Sequence, residues 1–315
     1  MMEPLFLKPV FKERIWGGTA LNQEFGYSIP SDKTGECWAI SAHPNGPSIV
    51  ENGPFAGESL DKLWKEQPEL FGNPKEEVFP LLTKILDANM DLSVQVHPND
   101  TFAKEYENGE LGKTECWYII DCKEDADMIF GHNAKTKEEL IQQINEGNWN
   151  ELLRRVKIQP GDFFYVPSGT IHALCEGTLV LETQQSSDTT YRVYDYDRKD
   201  DQGNVRELHL DKAIEVTNVP HQVSGSLSSV EVKENVEITT FVESDFFSVY
   251  KWDVKGHSSF SYKDQYLLCS VIIGEGTLSH DGERYPLSKG THFIIPVGLG
   301  EFSIDGDCEF IVSHP

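Results

Sequence analysis

The most informative segment of this chain reads Gly161-Asp162-Phe163-Phe164-Tyr165-Val166-Pro167-Ser168-Gly169-Thr170-Ile171-His172. Its apolar run predicts a β-strand, and the Pro-x-Gly that follows predicts a tight turn. The histidine then opens the next strand. Short strands joined by tight turns are typical of antiparallel barrels and sandwiches, in which all backbone groups of the inner strands find partners.

A weaker copy of this segment lies near the C-terminus, where the chain reads Gly290-Thr291-His292-Phe293-Ile294-Ile295-Pro296-Val297-Gly298. Both copies run Gly, five residues, Pro, one residue and Gly. Only the first copy continues to a histidine three residues after its last glycine. An internal repeat of this kind predicts one β-barrel architecture used twice. The first barrel is expected to carry ligands and the second to be empty.

Length and charge limit the possible partners. The 315 residues are enough for two domains with proper cores, and the formal net charge is −25. Such a surface repels nucleic acid and anionic lipid, so neither is expected as a partner. No apolar run approaches the roughly 18 residues that a membrane span needs, and the N-terminus lacks a signal-peptide pattern. An anionic substrate would need a local cluster of Lys and Arg.

The cysteines predict a reducing environment. None of them forms a C-x-x-C pair, and a chain of this size does not need disulfides for stability. We therefore expect reduced, mostly buried thiols and a cytoplasmic location. The six cysteines stand at positions 37, 116, 122, 175, 269 and 308.

Patterns typical of strands dominate the first two thirds of the chain. Two helical patterns interrupt them, at 58–70 and 136–156, and Gly147 divides the second. A short helix is predicted at 209–217. The predicted strands are 79–88, 92–97, 115–122, 127–131, 162–166, 178–184 and 191–196.

A break in periodicity suggests a domain boundary. Residues 219–231 contain Pro, Gly and four Ser and are predicted to form a linker. Beyond residue 238 the chain is almost entirely strand and turn, with hairpin turns predicted at 274–277 and 280–283. The fold is therefore predicted to be mainly β, with two antiparallel barrels and added short helices in the first.

Four polar side chains are candidates to bind a metal ion. Gln95 and His97 lie two residues apart on a predicted strand, so both point to the same face. Glu115 opens another strand, and His172 follows the Pro-x-Gly turn. Each of them alone could be an ordinary structural or surface residue. Together they form a mixed nitrogen and oxygen set that suits zinc, and that iron(II) or manganese would also accept.

Several segments resemble those of one known family. Residues 161–172 resemble the second cupin motif, and the first 200 residues resemble type I phosphomannose isomerases, which belong to the cupin superfamily. Gln-x-His stands here where ordinary cupins carry His-x-His. The chain is short for the family and lacks the large helical insertion of its longer members. The segments that carry the resemblance are 8–9, 15–18, 93–97, 112–115, 169–173 and 187–192.

The resemblance implies a fold, a reaction and a cofactor. It implies two cupin-like jelly-roll barrels, a metal-binding catalytic domain at 1–235 and a degenerate cupin-like barrel at 236–315. It implies interconversion of mannose 6-phosphate and fructose 6-phosphate, with one zinc ion per chain. The implied zinc ligands are Gln95, His97, Glu115 and His172.

The resemblance also implies roles for residues around the metal. The implied catalytic residues are Arg192, Glu182 and Lys113, and the implied substrate-binding residues are Ser93, Arg198 and Trp16.

The chemistry of aldose–ketose exchange needs these residue types. Glu182 would be the base, and its burial in an apolar strand is expected to raise its pKa towards the working pH. Arg192 stays charged and can bond to two oxygens at once. Arg198, or a nearby serine, is expected to take the phosphate. Without the resemblance, Glu182 could equally be a salt-bridged strand residue, and Arg192 and Arg198 part of an exposed charge ladder.

Two other functions also fit the residues. Two histidines and a glutamate can form the facial triad of an iron(II)-dependent cupin oxygenase. An empty second barrel would also fit a non-catalytic sugar-phosphate-binding protein. Gln95 and the basic cluster argue against the oxygenase, and the intact ligand set argues against a protein that only binds. The oligomeric state and the role of the second barrel stay open.

Overall fold

The structure is a computed structural model that describes residues 2–200, 202–222 and 228–315. Strands dominate it, as predicted. The strands are β1 (Leu5–Lys8), β2 (Val10–Gly18), β3 (Thr34–Ile40), β4 (Ile49–Val50), β5 (Leu81–Ala88), β6 (Val94–Val96), β7 (Glu115–Cys122), β8 (Asp127–His132), β9 (Leu153–Lys157), β10 (Phe163–Val166), β11 (His172–Leu174), β12 (Thr178–Gln185), β13 (Tyr191–Tyr194), β14 (Ser229–Lys233), β15 (Val236–Glu243), β16 (Ser248–Tyr262), β17 (Leu267–His280), β18 (Glu283–Ser288), β19 (His292–Ile295) and β20 (Gly300–His314).

Short helices decorate the first half of the chain. The α-helices are α1 (Ala20–Phe25), α2 (Leu60–Glu66), α3 (Asp100–Tyr106), α4 (Lys137–Glu146), α5 (Trp149–Leu152) and α6 (Leu210–Val216), and the 3-10 helices are Gly53–Phe55 and Pro68–Phe71. No helix among the described residues is long and apolar enough to cross a membrane.

Three antiparallel sheets organise these strands. A six-stranded sheet has the order β10-β7-β12-β5-β3-β2, and a five-stranded sheet has the order β13-β6-β11-β8-β9. Apolar side chains from both sheets, among them Trp117, Phe130 and Val180, pack into one core cluster. The two sheets therefore form the walls of the first barrel.

The third sheet is built by the C-terminal strands and by the N-terminus. Its path is β14-β15-β16-β20-β17-β19-β1-β4, with β18 paired to β17. In β1, Leu5 pairs with Ile294 of β19. Leu5 also belongs to a core cluster that contains Ile85 of the first barrel and Phe247 of the second. The two halves thus share core and sheet, and the division at residues 235 and 236 stays a prediction.

The two copies of the glycine-proline segment have the same backbone conformation. Gly161 and Gly290 have φ of 92° and 91°, and Gly169 and Gly298 have φ of 82° and 80°. In each copy the residue after the last glycine donates its N–H to the proline carbonyl, at 3.2 and 3.3 Å. Glycine is needed at all four places because L-residues rarely adopt this left-handed region. The predicted internal repeat is confirmed.

The helix predicted at 209–217 is confirmed, the one predicted at 58–70 is divided into α2 and the 3-10 helix Pro68–Phe71, and the one predicted at 136–156 ends early. Gly147 terminates α4 with φ of 68°, which separates α4 from α5 as predicted. The helix predicted to continue to residue 156 is wrong, because β9 begins at Leu153. Val156 pairs there with Met128 of β8. The ladder of cross-strand hydrogen bonds outweighs the local helix preference of Leu and Arg.

The ends of other predicted elements also shift. The strand predicted to reach residue 196 ends at Tyr194, because Tyr196 and Asp197 take positive φ values of 56° and 53°. The predicted linker at 219–231 is wrong at its end, since β14 begins at Ser229. Residues 223–227 of that linker lie outside the described residues.

One of the two predicted hairpin turns is confirmed. Asp281 and Gly282 have φ of 48° and 83°, the pattern of a two-residue type I′ turn between β17 and β18. The turn predicted at 274–277 is wrong, because these residues lie inside β17. A register shift next to Ile273 and a φ of 78° at Gly274 let the strand bend there without ending.

The cysteines behave as expected. None of the six forms a disulfide, and five of them are buried while Cys122 is partly exposed.

Gly274 and Gly282 provide a matched test of the bend in β17. Both have positive φ, so alanine costs about 1–2 kcal/mol of backbone strain at either position. A Cβ at Gly274 would also overlap the carbonyl oxygen of Asp307, whereas at Gly282 it would meet nothing within 4 Å. We expect Gly274→Ala to lower the free energy of unfolding in urea by about 1–3 kcal/mol more than Gly282→Ala. Equal losses would contradict the bend.

Candidate metal centre and active-site cavity

Three predicted ligands converge inside the first barrel. His97 directly follows β6, Glu115 is the first residue of β7, and His172 is the first residue of β11. Their side chains are almost completely buried, with exposures of 1%, 0% and 1%. Their potential ligand atoms all lie within 4.8 Å of one another. Two facing sheets therefore bring together residues that are up to 75 positions apart in sequence.

The histidines are oriented by backbone carbonyls. Nδ1 of His97 lies 2.9 Å from the carbonyl oxygen of Thr189, and Nδ1 of His172 lies 2.8 Å from that of Thr170. A carbonyl only accepts hydrogen bonds, so each Nδ1 carries the proton and each Nε2 keeps its lone pair. The two Nε2 atoms lie 3.5 and 3.2 Å from the carboxylate oxygens of Glu115.

Burial sets the protonation of these groups. It lowers the pKa of His172 to about 4 and holds the pKa of His97 well below its usual value, with the nearby ammonium of Lys113 lowering both further. Both imidazoles are therefore neutral, which is the form that binds metal. Burial and the negative charge of Glu182 raise the pKa of Glu115.

The surroundings of Glu115 fit a divalent cation. Both of its carboxylate oxygens are buried, and neither accepts a hydrogen bond of good geometry from the described residues. Nζ of Lys113 lies 2.9 Å from Oε2 of Glu115 and 3.2 Å from Nε2 of His97, so it offsets the charge from one side only. A buried carboxylate is costly without such partners. Two neutral imidazoles and this carboxylate match the donor set of zinc.

Gln95 lies beside the cluster. It sits on β6 between His172 of β11 and Arg192 of β13, directly opposite both in the strand register. Its Nε2 lies 3.4 Å from Nε2 of His172. Rotating the amide by 180° would turn its oxygen, which can bind a metal ion, towards the cluster. Its role as a fourth ligand stays a prediction.

A cavity of about 220 Å³ opens next to the cluster. Gln95 and Lys113 contact both, so the two form one site. Five cationic and three acidic side chains line the cavity, which leaves a net charge of +2 on a protein of −25. The local basic cluster that an anionic substrate would need is present. The lining residues are Arg14, Trp16, Glu36, Lys84, Leu86, Leu92, Ser93, Gln95, Lys113, Glu182, Asp188, Thr190, Arg192 and Arg206.

Glu182 belongs to a row of side chains across the six-stranded sheet. It lies opposite Lys84 on β5 and Trp117 on β7. Nε1 of Trp117 donates to Oε2 at 3.0 Å, and Nζ of Lys84 lies 3.5 Å from Oε1. Burial raises the pKa of Glu182, but the ammonium groups of Lys113 and Lys84 outweigh it, so the pKa lies below its usual value. The raised pKa expected from the sequence is wrong.

Arg192 is held at the cavity without a carboxylate partner. Its Nε donates to Oγ of Ser93 at 3.3 Å, and Nη1 donates to the carbonyl of Glu207 at 2.8 Å. Among the described residues no carboxylate oxygen forms a salt bridge with it. A guanidinium whose charge is left uncompensated at a cavity wall is available to an anionic ligand.

The structure brings most of the predicted site residues together. Trp16 and Ser93 are buried and line the cavity. Arg198 does not line it: one nitrogen donates to Asp195 at 2.6 Å and another to the carbonyl of Asp91. The substrate-binding role of Arg198 stays a prediction, and its position outside the cavity lining does not support it.

Sequence reasoning missed five charged residues of the cavity, which are Arg14, Glu36, Lys84, Asp188 and Arg206. Lys84 stands in the apolar run of β5 and Glu36 in that of β3, and a charge inside a buried strand was a signal that could have found both. Arg14 grips Glu36 through two nitrogens, at 2.8 and 3.1 Å. Arg206 lies in an irregular segment, where no sequence pattern points to it.

Comparison with known proteins identifies the family. The chain matches the model of the phosphomannose isomerase type I catalytic domain over residues 5–120 and that of the mannose-6-phosphate isomerase cupin domain over 237–315. It is 62% identical to a probable mannose-6-phosphate isomerase of Bacillus subtilis (strain 168), over the whole length of both chains. The chain belongs to the type I phosphomannose isomerase family.

Other members of the type I phosphomannose isomerase family are similar along their whole length. The mannose-6-phosphate isomerase of Streptococcus mutans is 54% identical, with 100% of this chain and 99% of the relative covered. The crystal structure of the mannose 6-phosphate isomerase from Bacillus subtilis superposes with a TM-score of 0.98, at 58% identity and full coverage of both chains. The prediction of a mainly β, cupin-type fold is confirmed.

The metal site can be tested by exchanging one buried histidine at a time. We expect His172→Ala to weaken zinc binding by at least about 100-fold. Loss of a residue that only supports a metal ligand already costs up to about 100-fold, and His172 would be a ligand itself. His132→Ala is the matched control, because His132 is also buried but its Nε2 donates to the backbone carbonyl of Asn218, 2.9 Å away, and does not face the cluster. Metal content after dialysis, with circular dichroism as a check of folding, measures both. Equal zinc content in the two variants would contradict the site.

Proposed function

We propose that this protein is a zinc-dependent aldose–ketose isomerase that interconverts mannose 6-phosphate and fructose 6-phosphate through a cis-enediol. One observation carries the proposal: the buried cluster of His97, Glu115 and His172 lies beside a cavity lined by a carboxylate and by a guanidinium that has no carboxylate partner among the described residues. The full-length relatives at 54% and 62% identity, whose names give this activity, support the choice of substrates.

Glu182 would be the base. Its lowered pKa keeps it ionised at neutral pH, and its Oε1 accepts no hydrogen bond from the described residues. Trp117 holds the other oxygen and the ammonium of Lys84 lies 3.5 Å from Oε1, so the carboxylate is fixed in place and Oε1 is the oxygen left to accept a proton. That oxygen would take the proton from C2 of the open-chain aldose and return it to C1. One base on one face of the sugar suits a cis-enediol.

A carboxylate with a low pKa is a weak base, so the substrate must be made more acidic. Negative charge develops on O1 and O2 as the proton leaves C2. Arg192 would stabilise this charge, since its guanidinium has no carboxylate partner in the described part of the chain and can bond to two oxygens. Such an interaction strengthens as the charge builds up, so it lowers the barrier rather than only tightening binding.

The zinc ion would be held by His97, Glu115 and His172, with Gln95 as a fourth ligand. When bound, it would supply Lewis-acid polarisation of a substrate oxygen and a second positive charge near the reacting carbons. The backbone carbonyls of Thr189 and Thr170 would keep the imidazoles in place. Lys113 would balance Glu115 and Glu182, both of which lie close to its ammonium group.

The reaction is balanced without any further reagent. The proton that leaves C2 returns at C1, and one proton moves from O2 to O1. No oxidant or reductant is consumed. This distinguishes the isomerase from an iron(II) oxygenase built on the same barrel, which would consume oxygen.

The activity itself is tested with and without metal. We expect purified protein to convert mannose 6-phosphate to fructose 6-phosphate in a coupled assay, to lose this activity when a chelator removes the metal, and to regain it with zinc. Oxygen uptake is measured in parallel and should stay at background. Interconversion that survives complete removal of metal, or oxygen uptake with iron(II) in its place, would contradict the proposal.

The two proposed catalytic groups are tested by separate variants. We expect Glu182→Gln to lower kcat by about 10²- to 10⁴-fold, because the base is lost while the shape is kept. Arg192→Ala should lower kcat by about 10²- to 10³-fold. Both should retain zinc. Glu176→Gln is the matched control, since this glutamate is exposed and pairs with Lys123 away from the cavity. Normal turnover of either site variant would remove that residue from the mechanism.

A further inference from the structure

We infer that Arg206 binds the phosphate group of the substrate and that the buried carboxylate of Asp195 positions it. The inference rests on the proposed function, because it takes the substrate to be a sugar phosphate. It assigns the phosphate to a residue for which the sequence carries no motif, and it moves that role away from Arg198.

Arg206 has one edge occupied and one edge free. Its Nε donates to Oδ2 of Asp195 at 2.8 Å, and its Nη2 donates to Oδ1 at 2.5 Å. A guanidinium has five N–H groups, so this two-point bond leaves three of them, on Nη1 and Nη2. Nη1 has no partner among the described residues, and Arg206 lines the cavity. The N–H groups of Nη1 and the second N–H of Nη2 thus form a free edge of the guanidinium, which can donate to two phosphate oxygens at once.

Asp195 gives the free edge a fixed direction. It is buried, and its two oxygens accept from Arg206 and also from Nη2 of Arg198 at 2.6 Å. Burial raises the pKa of Asp195, but the hydrogen bonds from the two guanidinium groups outweigh this and lower it. An ionised carboxylate that grips Arg206 at two points removes much of the conformational freedom that phosphate binding would otherwise cost.

Arg198 is held by neighbouring residues outside the cavity lining. Two of its nitrogens donate to Asp195 and to the carbonyl of Asp91, and its Nε is buried with no hydrogen-bond partner among the residues that the structure describes. Its guanidinium also stacks 5.2 Å from the ring centre of Tyr196. It is absent from the residues that line the cavity. Arg198 therefore contributes positive charge beside Asp195, but its guanidinium does not face the cavity.

The positive charge of the group favours a phosphate dianion. The guanidinium groups of Arg192, Arg198 and Arg206 are close enough to influence one another, and Asp195 is the carboxylate they share. The exposed Glu207 lies nearby and also acts on Arg192, so three cations and two anions leave a net charge of +1 at this end of the cavity. A sugar phosphate carries about −1.5 to −2 at neutral pH, so this group attracts it.

The test separates binding from chemistry. We expect Arg206→Gln to raise KM for mannose 6-phosphate by about 10- to 100-fold, with kcat changed less than about threefold. Inorganic phosphate, titrated into the zinc-loaded protein by calorimetry, should lose affinity by a similar factor. Asp195→Asn should raise KM by a smaller factor, again with little change in kcat. The guanidinium of Arg206 remains in this variant, but the carboxylate of Asp195 no longer fixes its orientation.

Three further variants keep the test decisive. Arg206→Lys should give a KM between those of the original protein and Arg206→Gln, since it keeps the charge but lacks the fork. Arg155→Gln breaks an exposed ion pair with Asp127 at 2.7 Å and should leave KM unchanged. An Arg198→Gln variant that raises KM as much as Arg206→Gln, or an unchanged KM in Arg206→Gln, would overturn the inference.

The failure of this inference can be told apart from failure of the proposed function. If the original protein does not interconvert the two sugar phosphates, the proposed function falls, and calorimetry with inorganic phosphate still tests Arg206. If the protein isomerises normally and Arg206→Gln binds substrate and inorganic phosphate as before, only the inference about Arg206 is overturned.

Discussion

The site depends on one buried carboxylate. Glu115 lies completely inside the first barrel between two neutral imidazoles, and neither of its oxygens accepts a well-formed hydrogen bond from the described residues. Burying a charge in this way is unfavourable unless a cation compensates it. Lys113 supplies part of that compensation, and a divalent ion would supply the rest. The folded barrel therefore presents a preformed set of donors that could hold a metal ion where the two sheets meet.

The same electrostatic constraint organises the rest of the cavity. Lys84 and Lys113 keep Glu182 ionised, and Asp195 holds Arg206 while leaving part of its guanidinium free. Cations outnumber acids around the cavity, although the whole protein is strongly acidic. Charge is thus concentrated where an anionic sugar would bind. Long-range repulsion by the surface makes this local cluster necessary.

Much of this could be predicted from local sequence, because local sequence determines turns and strand faces. The Pro-x-Gly turn placed His172, and the two-residue spacing placed Gln95 and His97 on one face. Cross-strand register cannot be read in this way, so the contact of Lys84 with Glu182 and its effect on the pKa were missed. The same limit explains why β9 was predicted as helix. Its Leu and Arg residues favour a helix locally, but hydrogen bonds to β8 make the segment a strand. It also explains why pairing of β1 with β19 was unforeseen.

The most direct measurement of the central claim is anomalous X-ray diffraction from crystals of the zinc-loaded protein, recorded on both sides of the zinc absorption edge. The account predicts one strong peak per chain, within about 2.0–2.2 Å of Nε2 of His97, Nε2 of His172 and a carboxylate oxygen of Glu115. A chain that gives no peak there, or a peak only at surface residues, would contradict it.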